Sequence, residues 1–382
     1  MKNQNNQRII SSLTFMLTLF AFFGCSYNGD NNQSYTVSQV KRQSPVEIVI
    51  DDSFKNPKPG LTLRDIADSI SYLPLETNDE IIIGNIVSVT IIENGYLIND
   101  AFRTLYFFNM SGKFIWRIDQ QGRGPNEYEI LNPGLAVDNS TNEIIIPDRR
   151  RLLFFNFNGE FVKELNLQFF VDQVYAMPDG AFLVSNSNPN NRILAYVISR
   201  RGDIIKEYYQ HNLEKKIDDR GRESQFTNAS IESYGNTVLL NSGDTVWEIN
   251  SDYDREIRYI LNTRVRNNKD QTYRVRYKHF QDTLIGLFFM NQKYNVIYNS
   301  VNGSFHKISG YGPSSAIVDN IDFGLDVPVW KEQNGIIIDA MVPSELLTLD
   351  LKRSGSKTKL VEIINSIDEN DNPVLRFIYL KN

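Results

Sequence analysis

A recurring unit of short apolar strands constrains the fold of this chain more than any other sequence feature. Its clearest copy, residues 95–128, contains a turn, an apolar strand that ends in Asp100, a tight loop, an aromatic strand, a second turn at Gly112 and a more polar outer strand. The second strand is the most regular part, because three or four apolar residues precede a polar cluster each time. It recurs at 96–100, 144–148, 182–186, 238–242, 287–291 and 336–340. Continuous apolar character favours strands that are buried on both faces.

The other strands and turns keep the same order in most copies. A third strand is predicted at 105–109, 152–156, 194–199, 246–250 and 296–300, and a second turn follows at Gly112, Gly159, Gly202, 252–254 and Gly303. Glycine supplies a positive φ at such turns at little steric cost. Four strands in a unit of roughly 40–50 residues are typical of a β-propeller blade. The sequence therefore predicts an all-β fold, a six-bladed β-propeller with four-stranded blades.

The two ends of the chain are predicted to close the ring in one blade. The sixth unit has no outer strand of its own, and its last apolar strand is PVLRFIYL (373–380). We expect SISYLPLE (69–76) to supply the outer strand, because this pairing removes the open edge that a linear array would leave. A short helix is predicted over 63–70. A short C-terminal helical insert is also predicted, with Ser344 as a helix cap and a second segment at 357–367.

The N-terminus has the pattern of a bacterial lipoprotein signal peptide. The basic residues Lys2 and Arg8 precede an apolar run, residues 9–24, which is short for a membrane span. The run ends directly before Cys25, the only cysteine of the protein, and a small residue before a lone cysteine is typical of a lipobox. We therefore expect residues 1–24 to be removed and Cys25 to be lipidated. An ordinary signal peptide with an incidental cysteine is the alternative.

Composition limits what the mature chain can be. Residues 25–46 are polar and are predicted to form a tether, and residues 47–382 are assigned to the propeller. An apolar content of 41% is enough for a sizeable core. With one cysteine, no disulfide can form within a monomer. The formal net charge is −6, and loss of the two cations Lys2 and Arg8 would change it to −8, so a nucleic-acid partner is not expected.

Several motifs are shared with a known family. The lipobox, YLPLETNDE (72–80), SGKFIWRI followed by QGRGPNEY (121–128), and DNPVLRFIYLK (371–381) together resemble the six-bladed β-propeller lipoproteins of Bacteroidetes. The likeness covers essentially the whole mature chain. It implies the same fold and a lipid-anchored location in the cell envelope, at the outer membrane and either periplasmic or surface-exposed. It implies no reaction, because the family is largely without assigned activity.

Residues that would carry catalysis or bind a metal are scarce. His211, His279 and His306 share no metal-ligand spacing. The chain has no nucleophile elbow and no phosphate-binding loop, and Cys25 could not act as a nucleophile once acylated. Residues 368–372 lack the glycine and the distal glutamate of a calcium loop and are predicted to form a polar turn. We therefore expect no metal and no cofactor, and we assign no catalytic residue.

One face of the predicted propeller is expected to carry arginines. Within a blade, the loop between the second and third strands emerges on the same face as the connection to the next blade; we call this the crossover face and the opposite one the turn face. Arginine forks bind carboxylate, phosphate or sulfate with two parallel hydrogen bonds. Ligand-binding residues are predicted at Arg103, Arg123, Tyr128, Arg149, Arg150, Arg151 and Arg192.

A structural role is the alternative for the same side chains. In that interpretation the arginines pair with Asp100, Asp148 and Glu127 and hold neighbouring blades together. Two glycines and a proline would then fix the crossover 121–128, and Tyr128 would pack at its corner. The sequence leaves both interpretations open.

Three functional hypotheses remain. The first is a lipid-anchored binding or scaffold propeller whose arginine-bearing face binds an anionic glycan, another anionic small molecule or an envelope protein. The second is a carbohydrate-active enzyme, a lyase or hydrolase with its site in the central funnel, which is an argument from fold alone. The third is a partner subunit of an envelope complex that docks through the C-terminal helices or the 211–229 insert.

Overall fold

The computed structural model describes most of the chain from Pro45 onward. Residues 1–44, which include the predicted signal peptide, Cys25 and most of the predicted tether, lie outside the described residues. All described residues belong to one structural unit, Ser44–Asn382. They are residues 45–50, 60–186, 192–210, 216–217, 223–224, 229–234, 237–242, 245–263, 275–281, 284–289, 295–308, 316–317, 319–321, 325, 327–328, 332–333, 335–349 and 359–381.

The described strands form the six blades of a β-propeller, as predicted. The first two strands of the chain, β1 (Val46–Ile50) and β2 (Ala67–Pro74), belong to later blades. Blade 1 consists of β3 (Ile86–Ile92), β4 (Gly95–Asp100), β5 (Leu105–Asn109) and β6 (Phe114–Ile118); blade 2 of β7 (Ala136–Asp138), β8 (Glu143–Asp148), β9 (Arg151–Asn156) and β10 (Phe161–Asn166); and blade 3 of β11 (Val174–Ala176), β12 (Phe182–Ser185), β13 (Ile193–Ile198) and β14 (Ile204–Tyr209).

The second half of the ring repeats this arrangement. Two short hairpins accompany the blades: β15 (Lys216–Ile217) with β16 (Glu223–Ser224), and β25 (Ala316–Ile317) with β26 (Val327–Pro328). Blade 4 consists of β17 (Ala229–Tyr234), β18 (Thr237–Ser242), β19 (Thr245–Ile249) and β20 (Arg255–Thr263); blade 5 of β21 (Val275–Gln281), β22 (Leu284–Phe289), β23 (Asn295–Asn299) and β24 (Ser304–Ile308); and blade 6 of β27 (Glu332–Gln333), β28 (Ile336–Met341), β29 (Val374–Leu380) and β2.

The termini close the ring as predicted. Strand β2 pairs antiparallel with β29, and Tyr72 lies opposite Arg376 in the register. Asn372 then ties this blade to the next one. Its amide donates hydrogen bonds to the carbonyls of Glu76 (2.7 Å) and Ile81 (2.8 Å). Strand β1 was not predicted; it adds a fifth strand to blade 4, parallel to β20.

The core lies between blades, which explains the continuous apolar strands. Leu97 and Phe107 of blade 1 pack in one buried cluster with Ile144 and Phe155 of blade 2. Because each middle strand contacts a neighbouring blade on either side, every residue of β4 is buried. The closing blade packs in the same way, and the ring centroids of Tyr96 and Phe377 are 5.1 Å apart.

The turns between third and fourth strands share a local hydrogen-bond pattern. In blade 1 the side chain of Asn109 accepts hydrogen bonds from the backbone N–H of Ser111 (2.9 Å) and Lys113 (3.0 Å). Gly112 then adopts a φ of +78°, where a side chain would be strained. Gly159, Gly202 and Gly303 repeat this conformation, and Tyr253 takes the corresponding position in blade 4 with a φ of +60°.

The helices differ from the prediction in two places. The helix expected over 63–70 is only α1 (Leu63–Ile66), because from Ala67 the chain pairs with β29 instead. Ser344 is not a cap: α2 (Pro343–Leu346) begins at a proline, and Val342 is its N-cap residue. The later segment forms α3 (Lys359–Ile364). No helix in the described ranges combines the length and the apolar character that a membrane span needs.

Candidate functional site

The loop between β4 and β5 is held in one conformation by a buried carboxylate. Asp100 accepts hydrogen bonds from the backbone N–H of Thr104 (2.9 Å), Phe102 (3.0 Å) and Gly84 (3.2 Å). The side chain of Asp100 is therefore used within the loop, and Arg103 is presented to solvent with a φ of +65°. Two of these bonds lie within the loop and the third ties it to the segment before β3, so the loop offers its side chains at little further entropic cost.

Tyr128 anchors the crossover from blade 1 to blade 2. Its side chain is fully buried, and its hydroxyl donates to the carbonyls of Ile118 (3.1 Å) and Arg103. Burial, and next the nearby Asp119, raise the pKa of Tyr128 far above its ordinary value. These contacts fit the packing alternative, in which Tyr128 is a corner residue.

Glu129 is the centre of an exposed cluster of arginines. Its carboxylate lies 3.0 Å from Nη2 of Arg149 and 3.4 Å from Nε of Arg123, and its carbonyl accepts a hydrogen bond from Nη1 of Arg103 (3.0 Å). The side chains of Arg123 and Arg149 are 83% and 51% exposed. We call Arg103, Arg123, Arg149 and Glu129 the arginine cluster; it lies on the crossover face, where blades 1 and 2 meet.

Arg151 is placed differently from the two arginines before it. Its guanidinium binds the buried Asp148 (2.8 Å), the carbonyl of Glu127 (2.7 Å) and the carboxylate of Glu164 (3.2 Å). Burial alone would lower the pKa of Arg151, but hydrogen bonds to Asp148 and Glu164 and their charges raise it above its ordinary value. This side chain joins the crossover to blade 2, as the structural alternative describes.

The remaining predicted arginines are not part of the cluster. The guanidinium of Arg150 lies 4.5 Å from the ring centroid of Phe170, in a cation–π contact. Arg192 is exposed at the end of the loop before β13, and its carbonyl accepts a hydrogen bond from the N–H of Gln210 (2.9 Å). Most of that loop, residues 187–191, lies outside the described residues.

The structural alternative named three acidic partners for the arginines, and they are used in different ways. Among the described residues, Asp148 alone of the three pairs with an arginine; Asp100 caps its own loop, and the side chain of Glu127 accepts a hydrogen bond from the N–H of Gly124 (2.7 Å). Glu129 was missed, although it directly follows the QGRGPNEY motif. Its place directly after this motif was the one sequence feature that pointed to it, because the sequence does not show in which direction the side chains of a crossover point.

Other features of the described residues do not compete with this cluster. A groove of about 470 Å³ lies along the outer strand of blade 6, and it is lined by Asp68, Ser69, Ile70, Ser71, Tyr72, Ile321 and Lys359. None of the predicted ligand-binding residues lines it. In the part of the chain that the structure describes, no three histidine, cysteine or acidic side chains are grouped to hold a metal ion.

The comparisons with known proteins assign the chain to a family. Residues 45–379 match the family described as a domain of unknown function, DUF4934, and the chain therefore belongs to it. No curated protein matches the chain.

One solved structure supports the fold, and two others are similar over part of the chain. A crystallised protein of Bacteroides fragilis that bears the provisional name of an exported protein is 18% identical, with a TM-score of 0.63 over 89% of this chain and 100% of that one. A protein of unknown function from Bacteroides caccae is 10% identical, with a TM-score of 0.34 over 67% of this chain and 80% of that one. BamB from Moraxella catarrhalis is 10% identical, with a TM-score of 0.38 over 71% of this chain and 81% of that one.

Proposed function

We propose that this member of the DUF4934 family is an envelope-anchored binding or scaffold propeller that takes an anionic ligand at the arginine cluster. The observation that carries the proposal is the arrangement around Glu129, where three guanidinium groups of the described residues share one acidic residue. The arrangement has an excess of positive charge on a protein whose formal net charge is −6. Such a local reversal of sign favours an anion.

The chemistry of the cluster suits a carboxylate or sulfate group. Arg123 and Arg149 each contact Glu129 through one nitrogen, which leaves other N–H groups of both forks for an incoming anion. Surface ion pairs of this exposure are weak, at about 0–1 kcal/mol, so a ligand can replace them at low cost. An anionic glycan with carboxylates or sulfates is the first ligand class to test.

A binding role is favoured over catalysis by how the neighbouring groups are used. The hydroxyl of Tyr128 is buried and already donates to two carbonyls, and its raised pKa makes it a poor base at neutral pH. Arg151 is bound to Asp148 and Glu164. The groups that remain exposed in the arginine cluster are suited to recognition rather than to proton transfer.

A binding assay with charge reversal tests the site. The purified full chain should bind polygalacturonate or dextran sulfate, but not neutral dextran, and the affinity should fall with added salt. Arg123→Glu with Arg149→Glu should weaken binding about tenfold or more, corresponding to about 1.4 kcal/mol. Lys206→Glu with Lys359→Glu is the matched control, because both lysines lie in ion pairs elsewhere. Equal losses in the two double variants, or no binding to any anionic polymer, would contradict the proposal.

Anchoring is part of the same proposal. The support is the predicted signal peptide with Cys25 and the provisional name of the Bacteroides fragilis protein. Cys25→Ser should release the protein from the membrane fraction and abolish labelling by a palmitate analogue. Labelling that persists in the variant would show that Cys25 is not the lipidation site.

A further inference from the structure

A small apolar patch, formed by Phe102 and Ile82, lies on the crossover face next to the arginine cluster. Phe102 is 74% exposed and Ile82 is 70% exposed, although burial of such side chains would be favourable. Isolated exposed apolar residues are common on proteins. A phenylalanine and an isoleucine that are presented together beside arginines have the composition of an interface centre, where aromatic residues and arginine are enriched.

Both side chains are carried by backbone that is held in place. The N–H of Phe102 donates to Asp100 (3.0 Å), and the hydroxyl of Tyr106 donates to the carbonyl of Ile82 (3.2 Å). The Phe102 ring lies over Gly84, where an added Cβ would be 2.6 Å from two ring atoms. The Phe102 ring can therefore pack against the backbone at Gly84 only because this residue has no side chain. An anchor that is fixed before binding loses little entropy on association.

The patch and the arginine cluster are connected through one loop. The N–H of Ala101 donates to the carbonyl of Asn85 (2.8 Å), and Arg103 donates to the carbonyl of Glu129 (3.0 Å). Residues 101–104 thus contact the segment that enters blade 1 on one side and the segment that leaves it on the other. A ligand that contacts Phe102 therefore lies next to Arg103, the following residue, which belongs to the arginine cluster.

We propose that this combined surface binds an acidic polypeptide segment that places an apolar side chain against Phe102 and Ile82 and its carboxylates against the arginines. The proposal rests on the proposed function, which it makes more specific. A polypeptide fits because it can carry an apolar side chain and carboxylates close together, which matches two exposed apolar side chains beside exposed arginines. An anionic membrane is the other occupant that this surface could take, and vesicles are therefore included in the test.

Two matched synthetic peptides test the proposal. In the first, glutamate alternates with phenylalanine; in the second, alanine replaces each phenylalanine. We expect the purified full chain to bind the first peptide at least fivefold more tightly, by fluorescence anisotropy of a labelled peptide. Phe102→Ala should abolish this difference, and Gly84→Ala should reduce it by displacing the ring. Val301→Ala is the control, because Val301 is 76% exposed but lies in the turn between β23 and β24, on the turn face.

The outcomes separate this proposal from the one on which it rests. Equal affinity for both peptides, with loss of binding in the Arg123→Glu and Arg149→Glu variant, would leave the anion site standing and overturn the apolar contact. Unchanged peptide binding in that charge-reversal variant would overturn the peptide proposal, whereas the anion site stands or falls with the binding of polygalacturonate and dextran sulfate. Binding of phosphatidylglycerol vesicles that depends on Phe102, without peptide binding, would identify a membrane surface instead. Thermal unfolding of the Phe102→Ala variant should match that of the parent, because the side chain is exposed.

Discussion

Arg151 places Nη2 and Nε 2.8 and 3.0 Å from the same carboxylate oxygen of Asp148, a residue that is almost completely buried. Two residues earlier, Arg149 contacts Glu129 on the exposed crossover face. Neighbouring arginines of one sequence run therefore have separate roles. One holds the crossover to blade 2, and the other belongs to the candidate ligand site.

Substitution of these two arginines should separate stability from binding. Arg151→Met should lower the free energy of unfolding by about 2–3 kcal/mol, because the buried carboxylate of Asp148 loses its cation and keeps only backbone donors. Arg149→Met should cost less than about 0.5 kcal/mol, since its ion pair is exposed. Urea unfolding of both variants measures the difference. If the two variants are equally stable, Arg151 does not stabilise the contact between the crossover and blade 2.

The sequence could not have distinguished Arg149, Arg150 and Arg151. A run of arginines in a predicted loop looks uniformly exposed, but strand β9 begins at Arg151, so this side chain turns back towards the sheet. Arg149 has a φ of +57° and is directed towards the crossover from blade 1. The choice depends on backbone geometry at a turn of two residues, which composition and periodicity do not encode.

The fold was more predictable than the site, for a physical reason. The middle strands of each blade are buried between neighbours, so their apolar runs had to appear in the sequence at every repeat. Strand β1 was missed because its partner, β20, lies some two hundred positions away and VEIVI alone gives no sign of it. The extra helical residues predicted after Ile66 were wrong for a related reason, since pairing with β29 outweighs local helix propensity there.

Arg376 should be among the most sensitive positions of the closing blade. This buried side chain lies 2.7 Å from Asp339 and 3.2 Å from Asp319. Arg376→Met would remove the cation that both buried carboxylates contact and should lower the free energy of unfolding by about 3–5 kcal/mol. Adding Asp319→Asn and Asp339→Asn should restore part of the loss in urea unfolding. A triple variant less stable than the single one would contradict this account.

The junction of blades 3 and 4 should weaken at alkaline pH. Burial, and next a hydrogen bond to the carboxylate of Asp179, raise the pKa of Tyr253 to about 12. Since a tyrosine in the unfolded chain ionises near pH 10, the contribution of Tyr253 to stability is complete below about pH 10 and is lost as the pH rises towards 12. The free energy of unfolding, measured from pH 8 to 11.5, should fall less steeply for Tyr253→Phe than for the parent protein. In Asp179→Asn, ultraviolet titration should show Tyr253 ionising at lower pH, and an unchanged titration would contradict the assigned cause.

Two turn glycines should differ in their tolerance of alanine, although both have a positive φ. A Cβ at Gly303 would meet no atom within 4 Å, so Gly303→Ala should cost only the backbone strain, about 1 kcal/mol. A Cβ at Gly112 would be 2.4 Å from the carbonyl oxygen of Pro74, at the end of β2. Because this contact is with backbone, Gly112→Ala must also shift the strand that closes the ring, and we expect a loss of about 2–3 kcal/mol. Thermal and urea unfolding of the two variants compare these costs, and equal losses would mean that blade 6 is not seated against this turn.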